Sequence, residues 1–368
     1  MPVLEKISYS ENYYNKSSKE QIKWGLEGLE LTKFCMITGL NSAGKSRTCN
    51  VIKNTFRKIA ISVKPPQLGK TDMVFKTTDG KTYQFVLNVE QDKKYDQVIT
   101  EEKLCELNKE NQKILFDRKI IFDSKPKKYF DYSPPDDSLT FHARRDKVSY
   151  PYLEKIINDS TKFHFLDVEN GKAFIYSQFK KRIFPNEVDI GYFPSLYKDL
   201  VTKEQKEIIL DEINSLGFPI ADIKVQAILV DGKEMPLIFF REKNVGTYDI
   251  ANASAGMKKI IFLITCLNLV NKGTCILIDN LGDGLDFQRS IEIVTILEEK
   301  ASDKQIIVCT NNEILLNQTD IRNWNILHRD GSNVKAYNYK NSKERLIRFA
   351  DSGLSNYEYF MDQHYLEN

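Results

Sequence analysis

Apolar residues in this chain gather into a few short, unbroken runs. FCMIT at 34–38, CILI at 275–278 and IIVC at 306–309 each read as a buried strand, since none alternates with polar residues. After them the spacing turns helical. SRTCNVIKNTFRKI follows the first run closely, a helix is expected from about Ser254 to Leu269, and another from about 288 to 300. Strand and helix in alternation predict a layered α/β core. Three Asp-Gly pairs, Asp79-Gly80, Asp231-Gly232 and Asp330-Gly331, sit between residues of high strand propensity and predict hairpins. These would set antiparallel strands beside the parallel ones.

The stretch from about 91 to 220 breaks this regularity. It is polar and lysine-rich, and Pro126, Pro134, Pro135, Pro151, Pro185 and Pro194 interrupt any long helix, which argues against an extended coiled coil. The expected organisation is an N-terminal core part at 1–90, an insertion or lid at 91–220, a second core part at 221–335 and a tail at 336–368.

Composition narrows the setting. With 368 residues, 41% of them hydrophobic, the chain can bury one large core or two closely joined ones. Lys plus Arg number 53 against 51 Asp plus Glu, so a net charge of +2 gives no whole-molecule attraction to nucleic acid or anionic lipid. Any basic site must be local. The six cysteines show no CxxC spacing and mostly sit in apolar runs, as core thiols of a reducing compartment do. The N-terminus has no basic-then-apolar leader, and IIFLITCLNLV at 260–270 is well short of the ~20 residues that cross a bilayer. A soluble, cytoplasmic protein without membrane contact is expected.

The chemistry begins at GLNSAGKS, Gly39 to Ser46, which fits the P-loop pattern G-x-x-x-x-G-K-[ST]. Backbone N–H groups of Asn41, Ser42, Ala43 and Gly44 must wrap phosphates without obstruction, while Lys45 reaches the β/γ-phosphates and the Ser46 hydroxyl binds Mg²⁺. Arg47, next in the chain, joins the expected nucleotide contacts. The pattern lies between a predicted strand and a predicted helix, the context it requires. CILID then brings a second metal-associated carboxylate, Asp279, to the end of another buried strand. ATP and Mg²⁺ are the expected ligands. Asp279-Asn280-Leu281-Gly282 also spells the DxxG of a GTPase, but no guanine-reading N/TKxD element follows.

NASAGMKKIIFLI, from Asn252, opens the helix that leads straight into the Asp279 strand. Ser254 suits a helix N-cap. At this position the sequence also resembles the ABC-type ATPases, whose S-x-G signature lies just there, and the likeness extends through LGDGLD at 281–286, similar to the D-loop, and IIVCTNN at 306–312, similar to the switch strand. Within that superfamily it is most similar to the SMC/RecF/OLD-like branch, which includes stand-alone ATPases of bacterial phage-defence systems. The resemblance implies an ABC-type P-loop core, a parallel sheet with helices plus antiparallel hairpins, carrying a mixed, largely helical insertion. It also implies a homodimer in which Ser254, Gly256 and Asp286 of one chain complete the nucleotide site of the other, a use suited to the positive end of a helix.

Two positions depart from the family. Asn280 stands where it has its catalytic glutamate, and Asn311 where it has its switch histidine. An amide can orient water but cannot take its proton, a loss of ~10²–10⁴ in rate. The expectation is an ATPase with Lys45, Asp279, Asn280 and Asn311 as its reactive set, slow unless Asp283 or Asp286 substitutes as base. The alternative is a scaffold that holds nucleotide without turning it over.

The resemblance further implies a separately encoded effector. A transporter subunit fits less well, because 209 positions separate Lys45 from Ser254, and the short tail is too small for an OLD-like nuclease domain. Lys125, Lys127 and Lys128 beside Tyr129 and Phe130, Arg144, Arg145 and Lys147, and Lys180, Lys181 and Arg182 offer DNA a candidate contact, the alternative being charge runs that are plain solvated faces. Gln84 is the candidate for the family's Q-loop glutamine. His142, His164, His328 and His364 have no ligand spacing.

Overall fold

The computed structural model describes residues 2–62, 64–108, 111–168, 184–230, 233–282, 284–350 and 353–366. The N-terminal part runs β1 (Val3–Asn15), β2 (Glu20–Glu30), β3 (Phe34–Thr38), α1 (Lys45–Ile61), β4 (Gly69–Lys76) and β5 (Thr82–Gln91). Then come β6 (Gln97–Leu107), β7 (Gln112–Phe116), β8 (Ile120–Asp123), β9 (Lys128–Asp131), α2 (Thr140–Ala143), α3 (Pro151–Ser160), β10 (Phe163–Asp167), β11 (Glu187–Asp189), α4 (Phe193–Leu200) and α5 (Lys203–Ser215). A ribbon of β12 (Ile220–Val230), β13 (Lys233–Glu242) and β14 (Gly246–Asp249) leads to α6 (Ala255–Leu269), β15 (Cys275–Asp279), α7 (Phe287–Lys300), β16 (Gln305–Cys309) and α8 (Glu313–Gln318). The chain closes with β17 (Trp324–Asp330), β18 (Asn333–Asn338), α9 (Lys343–Ala350) and α10 (Asn356–Met361).

One 15-stranded sheet holds most of this, in the order β11-β10-β15-β16-β3-β17-β18-β2-β1-β4-β5-β6-β7-β8-β9. From β11 to β17 every neighbour is parallel, and from β1 outward to β9 every neighbour is antiparallel. The α/β core predicted from the sequence is thus fused edge-on to a meander. The central parallel strands β3, β15 and β16 are buried along their whole length and largely apolar because both faces are covered. Met36, Ile276, Ile278, Ile306 and Val308 share a core with α4 to α7. Their chain neighbours Cys35, Ile37, Cys275, Leu277, Ile307 and Cys309 face the opposite core with α1 and α3. Phe56 of α1 stacks on Phe163 of β10 at 3.6 Å between ring centroids; burying such a side chain stabilises the fold by about 1.5–3 kcal/mol.

Turn chemistry follows the sequence where it can be followed. Gly80 and Gly331 take positive φ in the β4–β5 and β17–β18 hairpins, while Asp231-Gly232 lies outside the described residues. Helix starts are capped by side chains: Thr202 with Gln205 on α5, Ser254 on α6, Asp286 on α7 and Asn312 on α8.

The segment 91–220 is more strand-rich than its lysine content suggests. β6 to β9 extend the meander, and β10 enters the parallel core between β11 and β15, so the segment is woven into the sheet rather than set apart as a helical lid. Period-two patterning along β6 is broken at Thr100, which the register with β5 skips, and is further hidden because the buried position at 102 carries a glutamate.

Candidate nucleotide site

The C-terminal ends of β3, β10, β15 and β16 gather at one edge of the parallel sheet, where such folds bind ligands. The loop after β3 is shaped by its glycines. A Cβ on Gly39 would lie 2.6 Å from the Leu327 carbonyl, and Gly44 sits at φ 101 with the Trp24 ring 3.2 Å from where a Cβ would be. Only glycine fits at either place. Ser42 also takes a positive φ of 68, and Arg329 Nη1 donates to its carbonyl at 3.2 Å. α1 starts directly at Lys45, so its unbonded N–H groups open into the loop. Lys45 Nζ donates to the Gly39 carbonyl at 2.6 Å and to the Leu40 carbonyl at 3.3 Å, curled over the place that phosphates would take.

Asp279 ends β15 in register with Asp167, which ends β10. Burial pushes the Asp279 carboxyl above the usual range, a hydrogen bond from Ser46 pulls the other way, and Asp167 pushes it up again. A divalent cation would relieve that cost. Asn280 adopts φ 57, a left-handed conformation that Asn tolerates, with its N–H donating to Asp279 Oδ1 at 3.1 Å. Ser46, Asn50, Asp167, Asp279 and Asn280 line a cavity of about 650 Å³ that continues along α1 toward Lys53, Arg57 and Glu187. Across the loop, Asn311 Nδ2 donates to Asn41 Oδ1 at 3.3 Å. Beneath it, Cys49 of α1 and Cys309 of β16 bring their sulfurs to 2.8 Å.

Ser254 and Gly256 do not line this cavity. Ser254 is exposed at the start of α6 and accepts from the Met257 N–H at 3.2 Å. Gly256 packs so closely that a Cβ there would stand 2.5 Å from the Gly284 carbonyl, which holds α6 against the loop before α7. Asp286 caps α7 through the Arg289 N–H at 3.0 Å and pairs with the Arg289 guanidinium. Those bonds, the backbone one foremost, hold its carboxyl below the usual range. Asp283 lies outside the described residues.

Arg47 is turned away from the cavity. It pairs with Glu11 and lies over the Trp24 ring at 4.8 Å. Gln84 sits on β5 in the antiparallel meander, bonded to Asp72 at 2.9 Å and absent from the cavity lining, because the sheet carries it several strands away. The position that reaches the site is Asp167, missed because FHFLD at 163–167 falls inside a segment taken as an insertion. Its signal was an apolar run ending in aspartate, as in CILID. Lys128, Tyr129 and Phe130 lie exposed on β9. Arg145 pairs with Glu154, Arg144 lies over the Tyr132 ring, and Lys180, Lys181 and Arg182 fall outside the described residues. His142 and His164 bond to backbone carbonyls.

A glycine loop that admits no side chain, a lysine whose ammonium lies against the loop's own carbonyls, and a serine hydroxyl on a buried aspartate fit a magnesium nucleotide. Set on this sheet, they define a P-loop nucleotide-binding fold of the ABC type, the fold that SMC heads share. Residues 34–317 match the family described as "AAA domain, putative AbiEii toxin, Type IV TA system", and the chain belongs to that family. The fold is similar to an SMC head bound to the C-terminal winged-helix domain of ScpA, with TM-score 0.50 at 12% identity over 90% of this chain and 96% of that one. An SMC head domain from Thermotoga maritima aligns with 14% identity over 91% and 98% of the two chains, at TM-score 0.45. No curated protein matches the sequence. Among the described residues no helix is long and apolar enough to cross a membrane.

Proposed function

We propose that this protein binds ATP with Mg²⁺ at the ends of β3 and β15, hydrolyses it slowly, and dimerises around it to govern a separately encoded effector in anti-phage defence or DNA maintenance. The observation that carries the reading is the joint placement of Lys45, Ser46 and Asp279 at one sheet edge. Lys45 would exchange the Gly39 carbonyl for β- and γ-phosphate oxygens, and α1 would present its N-terminus to the same charge. Ser46 and Asp279 would hold Mg²⁺, which neutralises charge developing on the phosphates.

Asn280 and Asn311 are suited to orient the attacking water, and neither can take its proton. Asp167, which lines the cavity beside Asp279, is the nearer carboxylate for that task, whereas Asp286 caps α7 outside the lining. The same amide at 280 favours a second reading, a subunit that holds ATP as a clamp without turnover. Single-turnover hydrolysis over hours separates the two.

Dimerisation is supported by what α6 leaves unused. Ser254 and Ala255 are exposed at a helix N-terminus, and Phe287, just past Asp286, is 65% exposed. A second copy related by a two-fold axis would bring that helix end to the P-loop. DNA contact is proposed at the exposed β9 edge, where Lys128 neighbours Tyr129 and Phe130. Duplex binding that falls steeply with salt supports it; no binding at low salt removes it.

The test of the core proposal mixes a Lys45→Ala chain with a Ser254→Arg chain, each inactive alone. In a mixed dimer one composite site carries both lesions and the other neither, so partial ATP-dependent activity returns. A mixture as inactive as its parts, with no ATP-dependent dimer of the parent in sedimentation, refutes trans pairing. Unchanged ATP affinity in Lys45→Ala refutes the nucleotide site itself.

A further inference from the structure

Cys49 and Cys309 come from opposite ends of the chain, 260 positions apart, and meet under the nucleotide loop. Cys49 lies one turn after Ser46 on α1, and Cys309 ends β16 immediately before Thr310 and Asn311. Both are buried, at 0% and 1% exposure, and the Asp279 carboxylate lies within 4.8 Å of both sulfurs.

Two kinds of chemistry suit two thiols and a carboxylate. A tetrahedral zinc ion with Zn–S bonds of about 2.3 Å holds its sulfurs roughly 3.7 Å apart. A disulfide holds them at about 2.05 Å. At 2.8 Å the sulfurs need only a small approach to form the second.

We propose that Cys49 and Cys309 are an oxidation site, a dithiol that a hydroperoxide converts to a disulfide and so locks the P-loop helix to the switch strand. One thiol, as thiolate, attacks an oxygen of hydrogen peroxide, the O–O bond breaks, and the thiol becomes a sulfenic acid while the departing hydroxide takes up a proton as water. The other attacks that sulfur and releases a second water, so two thiols are oxidised by two electrons and one hydroperoxide is reduced. Because both sulfurs are buried, the reaction waits for α1 and β16 to part, and nucleotide bound over α1 opposes that opening. Drawing the sulfurs together displaces α1 relative to Asp279 by a fraction of an ångström. Misplacement of that order in a phosphoryl-transfer site costs on the order of tenfold to a hundredfold in rate. This last consequence rests on the ATPase reading, whereas formation of the bond does not.

The experiment treats the reduced, nucleotide-free full chain with hydrogen peroxide, quenches in acid, and maps disulfides by peptide mass spectrometry. Expected are a fall in free thiols from six to four, a mass loss of ~2 Da and a single linked peptide joining Cys49 to Cys309. Dithiothreitol restores the thiols, and ATP turnover falls and recovers in step. With MgATP at ten times its Kd the bond forms about tenfold more slowly. Six thiols surviving, sulfinic acid in place of a disulfide, or linkage through Cys35 or Cys275 would overturn the proposal. So would uptake of Co²⁺ with a thiolate charge-transfer band abolished by Cys49→Ala and by Cys309→Ala, since that marks a metal site. If a variant fails to fold, mapping on the parent chain decides. A mapped disulfide that leaves turnover unchanged overturns the lock, whereas reduced protein without turnover is a failure of the ATPase reading alone.

Discussion

Replacing Gly256 by alanine sets two effects of opposite sign against each other. Gly256 lies in the first turn of α6, where alanine is favoured over glycine by up to about 1 kcal/mol. The added Cβ would stand 2.5 Å from the Gly284 carbonyl, a backbone atom that cannot swing aside. Relief requires α6 and the loop before α7 to part by roughly half an ångström or more, and overpacking of this kind costs about 1–3 kcal/mol. The clash should win by about 1–2 kcal/mol. At about 2.1 cal/mol/K per residue, 368 residues give an unfolding entropy near 0.8 kcal/mol/K, so Tm should fall by roughly 1–3 °C. Gly284→Ala is the internal comparison: it meets no atom within 4 Å but holds φ +77, so it costs strain of about 1 kcal/mol without moving α6. Differential scanning fluorimetry reads the first quantity and sedimentation with ATP the second. Gly256→Ala should weaken ATP-dependent dimerisation far more than Gly284→Ala. A Gly256→Ala protein with an equal or higher Tm and undiminished dimer would show that helix propensity wins, and that α6 is not held by this contact.

Three further outcomes are expected. Asn280→Glu should raise hydrolysis only several-fold, since a base is gained but a glutamate must adopt φ 57, and phosphate release no faster than the parent's would move attention to Asp167. Asp167→Asn should then lower turnover by ~10²-fold or more while ATP affinity changes little, and an unchanged kcat would clear Asp167 of any role. Burial pushes the carboxyl of Glu102 up to about 7 against hydrogen bonds from Thr140 and its pairing with Arg118. Its folded value therefore exceeds the unfolded one, stability is fullest below about pH 4.5 and is lost as pH rises toward 7, and Glu102→Gln should flatten that slope in chemical denaturation.

The core and the loop chemistry were legible because each rests on a local rule. FCMIT and CILID announce strands buried on both faces, and the glycine-lysine pattern fixes α1 to begin at Lys45. What stayed hidden depends on long-range pairing. Asp167 becomes a site residue only when β10 is slotted beside β15, a register that no local spacing encodes. Gln84 was the Q-loop candidate, yet pairing of β5 with β4 and β6 carries it away from the site. Arg47 follows the lysine and serine in sequence, but the helical turn aims it at Glu11 and Trp24. The lysine-rich middle concealed strands because charge lies on their solvent faces and, at Glu102 of β6, on the buried one as well.

Lys45 bonded to its own loop's carbonyls changes what a nucleotide must do on arrival. The ammonium is already desolvated on one side and the loop already closed around it, so ATP swaps one set of oxygen acceptors for another and little chain has to be ordered. Affinity then reports a difference between phosphate and peptide oxygens, which is larger for a triphosphate than for a diphosphate. In the proposed ATPase cycle the loop would keep its shape after release, so the interval between turnovers would be set by separation of subunits and departure of product, with no resetting of the cradle.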